Sequence, residues 1–343
     1  MSERAIVKAL RLVLGVAVLF CLLLGLVSGP TIAQARPVLV YGVIHEITLS
    51  NLMKMFYSTT GVRAEFVRMS AGEVAARVQA ERTRQRADII LGVARTIQED
   101  LKNRGVLEKY LSPTRAEIPA EFRDPDGYWT GTTAHVQAIA INVERFRREF
   151  PGVAMPRTYE DLLDPRYRGH IIAASPVTSG SAFNFVMAQV FRLGEERAWE
   201  FLAALDRNVR FYTASGIAPA TSVGAGEFLI AITQAHDALL ALADGRPVTV
   251  VHPPKAGWDV GTVSLIKNSP NPEGGQRFID WLLTRRPLEL ITKINYELPV
   301  RPDVESPRGA MVLKDLDLVN YDLKFAAQHR ERVIREWARR FQK

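Results

Sequence analysis

From Pro37 onward the chain alternates short apolar runs with amphipathic stretches, and this rhythm leaves few architectures open. Runs of that length read as strands buried on both faces, and the stretches between them as helices with one apolar stripe. The layered solution is an α/β fold, with helices packed on a mostly parallel sheet. Val38–Gly42, Ala64–Val67 and Asp88–Gly92 are the first predicted strands. Helices are predicted at about Ile47–Tyr57, Glu73–Arg84 and Ile97–Arg104, the last closed by Gly105.

The breakers Pro113, Pro119, Pro125, Asp126 and Gly127 precede a long strand-like run, Thr132–Asn142. Strands follow at Ile171–Ala174, Val209–Tyr212, Phe228–Ile232 and Val248–His252, with helices at about Ser181–Arg192 and Glu195–Leu205. Pro253 and Pro254 mark a return crossing, after which Thr262–Ile266 rejoins the first sheet. Helices at about Pro272–Leu283 and Leu288–Ile294 come next, and a basic terminal helix carries Val333, Trp337 and Phe341 at helical spacing. A chain of 343 residues exceeds one typical core. The expected division is therefore 36–138 as the first part of lobe 1, 139–252 as lobe 2, and 253–343 as the return of lobe 1 with the C-terminal helices.

Residues 1–35 read as a secretory leader: Arg4, Lys8 and Arg11, an apolar run Leu12–Val27, then Ala33-Gln34-Ala35. The run is short for a span of roughly 20 residues, so export with cleavage after Ala35, and a periplasmic location, are expected. The single cysteine, Cys21, lies in that run, so the mature chain would have no disulfide and no thiolate metal site. Losing the leader removes three basic residues and one acid and takes the formal charge from +7 to +5. Arg77, Arg82, Arg84 and Arg86 read as a solvated helix face, and no nucleic-acid partner is expected.

Thr178-Ser179-Gly180-Ser181 stands between a buried strand and a helix. Hydroxyls beside the unpaired N–H groups of a helix start form an anion site, whereas a plain N-cap needs only one of these residues. Loops at the carboxyl ends of strands should face the same cleft. They supply His45, Ser70 and Ser215. His236-Asp237 offers a carboxylate that accepts hydroxyls and an imidazole that donates or accepts, and Trp258-Asp259 a flat ring and an acceptor. Ser179, His236 and Asp237 are hydrolase residue types, but no Gly-x-Ser-x-Gly elbow occurs, so no enzyme is expected.

Four segments lie in a telling order: Pro156–Pro165 with Arg166–Gly169 behind it, Ser175–Ala182, Gly224–Glu227, and Asn271-Pro272-Glu273 with Phe278–Leu283. Over nearly the whole mature chain they resemble the iron, phosphonate and hexose-phosphate branch of periplasmic solute-binding proteins of ABC importers. The resemblance implies a two-lobed type 2 periplasmic-binding fold, each lobe a mostly parallel sheet flanked by helices, joined by a two-strand hinge. It further implies a monomer without cofactor that closes on a small anionic solute, an organophosphate or phosphonate, and is read by importer membrane subunits. The ligand set expected on this basis is His45, Ser70, Thr178, Ser179, Gly180, Ser181, Ser215, His236, Asp237, Trp258 and Asp259. A ferric-ion receptor and a loaded partner of a membrane sensor kinase are the alternatives.

Departures narrow the choice. Ferric-binding relatives place tandem tyrosines near Ile232-Thr233-Gln234 and an acid near Val93, and this chain has neither, so Fe³⁺ would lack hard oxygen donors. Ala256 stands before Gly257 where many organophosphate-binding relatives carry glutamate, which leaves phosphonates, phosphoesters and carboxylates open.

Overall fold

The structure is a computed structural model that describes residues 36–341; the expected leader, with Cys21, lies outside them. In chain order the elements are β1 (Val38–Gly42), α1 (Glu46–Thr60), β2 (Ala64–Arg68), α2 (Ala71–Ala80), β3 (Ile89–Ala94), α3 (Arg95–Asn103), β4 (Leu107–Glu108) and β5 (Thr130–Asn142). There follow α4 (Val143–Glu149), β6 (Ile171–Ala174), α5 (Gly180–Leu193), α6 (Glu195–Asp206), β7 (Val209–Thr213), α7 (Ala218–Gly224), β8 (Ile230–Gln234), α8 (Ala235–Ala243) and β9 (Val248–Val251). The chain ends with β10 (Trp258–Ile266), α9 (Pro272–Leu282), α10 (Arg285–Asn295), β11 (Leu298–Pro299) and α11 (Leu323–Phe341). Among the described residues no helix is long and apolar enough to cross a membrane.

The strands run in the order β2-β1-β3-β10-β5-β8-β6-β7, with β4 added to β10 and β9 and β11 added to β5. The outer pairings on each side, β2-β1-β3 and β8-β6-β7, are parallel as expected. The central ones are antiparallel: β10 runs against β3 and β5, and β5 against β8, β9 and β11. The sheet is therefore mixed, because β5 carries the chain from one half to the other and β10 starts where it has returned, so neither is a leg of a βαβ unit.

All thirteen residues of β5 are buried. Its partner changes within the strand: Val136 pairs with Trp258 of β10, whereas Gln137 pairs with Gln234 of β8. The return passage lies between Val251 and Trp258, where Pro253 and Pro254 supply no amide for a ladder.

Apolar clusters follow this split. One lobe packs Val40, Leu49, Phe56, Leu91, Phe278 and Leu282 on one sheet face, and Tyr41, Val74, Ile90 and Ile97 on the other. The second lobe gathers Ile139, Phe146, Phe183, Met187, Leu202 and Ile230. The terminal helix α11, counted above with the return of lobe 1, buries Val333, Trp337 and Phe341 in this second cluster. Trp337 meets Tyr212 edge-on at 4.9 Å. Its polar side touches both halves, Glu331 to Arg104 and Arg332 to Glu195.

Candidate functional site

Helices that follow the carboxyl end of a strand aim their first turns at one place. The N-cap residues of six helices do so: His45 (α1), Ser70 (α2), Ala94 (α3), Ser179 (α5), Ile217 (α7) and Gln234 (α8). All six line a single cleft with about 660 Å³ of empty volume. Each helix start brings unpaired N–H groups and partial positive charge, so the cleft favours negative charge.

At one end stands the α5 start. The Ser179 hydroxyl accepts from the Ala182 amide at 3.3 Å and lies 2.9 Å from the Ser181 hydroxyl. The Phe183 amide donates to the Ser179 carbonyl at 3.1 Å. Among the described residues no acceptor engages the Gly180 and Ser181 amides. The β7–α7 turn closes over the serines, since a Cβ on Gly216 would sit 2.5 Å from Ser181 Oγ and 2.8 Å from Ser179 Oγ. From the first lobe, Ser70 caps α2 reciprocally: its hydroxyl accepts from the Glu73 amide while Glu73 accepts from the Ser70 amide at 2.7 Å. The two lobes touch here, with the Gly72 amide donating to the Thr178 carbonyl at 3.1 Å.

The other end is a chain of imidazoles and carboxylates. His45 Nε2 lies 3.4 Å and His236 Nε2 3.6 Å from Asp237 Oδ1; His236 Nε2 is also 3.9 Å from Glu297 Oε1, and His135 Nε2 3.4 Å from Glu297 Oε2. Thr133 and Asn295 donate to Glu297. His45 Nε2 and Asp237 Oδ1 are buried, and besides the ion pairs just given neither makes a hydrogen bond among the described residues.

Burial alone would lower the pKa of His135, but the charge and hydrogen bond of Glu297 together with the charges of Asp259 and Asp237 outweigh it, and the net shift is upward. For His236 burial wins, and that ring is held neutral. Burial would raise Glu297, yet His135 and the Thr133 hydroxyl pull it down to about 2. Among the described residues no group of three or more His, Cys, Asp or Glu is arranged to hold a metal ion.

Of the residues expected at the site, the cleft brings together His45, Ser70, Ser179, Gly180, Ser181, Ser215, His236 and Asp237. Three expectations are corrected. Thr178 spends its hydroxyl on the Ala214 carbonyl at 2.7 Å and offers its own carbonyl to Gly72. Trp258 turns its indole N–H to the Val319 carbonyl at 3.2 Å, with the Arg95 guanidinium 4.2 Å from its ring centre. Asp259 is buried against Arg95 at 3.0 Å and Thr96 at 2.7 Å. A buried cation needed that carboxylate, and none is left over for a solute.

Arg68, His135, Gln234 and Glu297 also line the cleft and were not expected there. A signal existed for His135, the one titratable side chain in strand β5. Glu297 gave a weaker one, sitting in a short connection between helix and strand.

The family model described as bacterial extracellular solute-binding protein matches residues 84–319. An uncharacterized protein of Haemophilus influenzae is 30% identical over 321 residues, 91% of this chain and 92% of its own. Iron uptake protein A1 of Synechocystis sp. is 27% identical over 287 residues, 79% and 77% of the two chains. A putative 2-aminoethylphosphonate-binding periplasmic protein of Salmonella typhimurium is 22% identical over 259 residues, 73% of each. Among solved structures, the periplasmic binding protein AfuA of Actinobacillus pleuropneumoniae, with fructose 6-phosphate bound, superposes with a TM-score of 0.86 at 27% identity, covering 89% of this chain and 98% of that one. Iron-bound HitA of Pseudomonas aeruginosa shares the fold, with a TM-score of 0.76 at 21% identity over 88% and 98%.

Proposed function

Because this chain belongs to the bacterial extracellular solute-binding protein family and has the type 2 periplasmic-binding fold, a solute receptor for an ABC importer, we propose that its solute is a small organophosphate or phosphonate. The observation that carries this reading is the pair of unengaged amides at Gly180 and Ser181 beside the Ser179 and Ser181 hydroxyls, in a cleft lined by the N-caps of six helices. If hydrogen bonds to a charged group contribute about 1.5–3 kcal/mol each, three or four account for micromolar binding after ordering costs. At the far end His45, His236 and Asp237 suit hydroxyls or an amine on the same solute.

In this reading the solute bridges the lobes, taken as 36–138 with 253–343 and as 139–252, and holds them closed about the β5 and 251–258 crossings. Importer membrane subunits read the closed state, and a sensor-kinase ectodomain would read the same surface. The mature protein works as a periplasmic monomer after removal of 1–35. Likeness to AfuA, with fructose 6-phosphate bound, and to the 2-aminoethylphosphonate-binding relative supports the phosphoryl class.

Iron is the competing cargo, favoured by likeness to iron uptake protein A1 and opposed by Val93 and Gln234 at the expected oxygen-donor positions. A thermal-shift screen over fructose 6-phosphate, 2-aminoethylphosphonate, phosphoglycerates, dicarboxylates and Fe³⁺ separates them, because tight ligands raise the melting temperature. A phosphorylated or phosphonylated compound should give the largest shift; a response to ferric salts alone overturns the reading.

A further inference from the structure

The donors at the anion end are all neutral: serine hydroxyls and backbone amides. They hold an oxyanion whatever its charge. Among the residues lining the cleft, one side chain carries a permanent positive charge, Arg68, the last residue of β2. It is exposed, and it also lines the outer mouth of the cleft together with Glu46, Ser215 and Glu227.

No carboxylate is ion-paired with Arg68 among the described residues. Glu73, whose charge Arg68 feels, is taken by the α2 capping box. Arg68's charge nevertheless reaches inward, opposing protonation of His45 and helping to hold Glu73 below the usual carboxylate range. A guanidinium outside any ion pair, at the rim of a cleft of inward-pointing helix starts, focuses an anion's approach.

We propose that Arg68 is the charge-selecting residue of this cleft, capturing a dianionic phosphoryl or phosphonyl group faster than a monoanionic group of the same shape. The proposal rests on the anion reading above and adds to it a division of labour. Serines and amides set how long the solute stays, and Arg68 sets how fast it arrives and which charge state is preferred.

Two near-isosteric pairs test it at a pH where the first member is a dianion: fructose 6-phosphate against fructose 6-sulfate, and 2-aminoethylphosphonate against 2-aminoethylsulfonate. Stopped-flow association of wild type should favour the dianion of whichever pair binds. Arg68→Gln should slow capture of the dianion by about threefold to tenfold at low salt, flatten its salt dependence and leave dissociation nearly unchanged. Arg68→Lys should keep most of the advantage, and both variants should melt with wild type. If Arg68→Gln keeps the same dianion preference and salt slope while the solute still binds, the proposal falls and the anion reading survives. If wild type binds none of the four compounds, both fall.

Discussion

The His45 imidazole, at the N-cap of α1 in the first lobe, lies 3.4 Å from the Asp237 carboxylate in the first turn of α8 in the second. The contact exists only because the lobes face each other.

Its titration has a definite sign. Burial opposes the charged imidazole, but Asp237 and then Glu297 outweigh burial, and the His45 pKa is raised. Such a group adds stability below its ordinary pKa and loses it as pH rises through the raised value. The stability difference between wild type and Asp237→Asn should therefore be largest near pH 5 and shrink towards about pH 9. Parallel melting curves across that range would remove the pair from the account.

The two serines at the α5 start have separable roles. Ser179 satisfies the Ala182 amide, so Ser179→Ala should cost about 1 kcal/mol of stability as well as affinity. Ser181→Ala removes a hydroxyl that caps nothing and should spare stability. Together they should weaken phosphoryl binding by about tenfold or more in calorimetry, the loss of a charged hydrogen bond. An unchanged affinity in the double variant would move the anion elsewhere.

Lobe contact at Gly72 leaves little room for a side chain. A Cβ there would lie 3.1 Å from Thr178 Cα and from the Thr178 and Val177 carbonyl oxygens, all backbone atoms that cannot swing away. Overpacking of about 1–3 kcal/mol would fall on the closed form alone. Gly72→Ala should then bind about tenfold more weakly, and small-angle scattering with solute present should keep the dimensions of the unliganded protein. Full closure at wild-type affinity would contradict this.

Asp259 separates scaffold from site. Asp259→Asn leaves Arg95 buried without its counter-charge, at a cost of about 3–5 kcal/mol in denaturant unfolding. Affinity measured well below the unfolding transition should stay within about twofold. A large affinity loss at unchanged stability would return Asp259 to the binding set.

The sequence made the strand-end loops readable. Ser70, Ser179, Ser215 and His45 each follow a recognisable apolar run, so their place at the carboxyl edge of the sheet follows from the fold class. His135 showed only as a titratable residue within a strand, and nothing local tied it to its partner Glu297, 162 positions later. Asp259 misled because an acceptor beside a tryptophan looks available until Arg95 is found behind it. Helix α8 follows β8 with no turn residue between Gln234 and Ala235, so no local punctuation announces that His236 opens a helix.

Strand β5 has a mechanical corollary. Because one uninterrupted ladder element serves both halves, a relative swing must be absorbed as twist over a few peptide units near Val136 and Gln137, matched in the 251–258 return. Two such pivots side by side fix an axis. A swing about that axis would return the halves to the same mouth geometry, and neither is expected to hold its shape as a severed fragment.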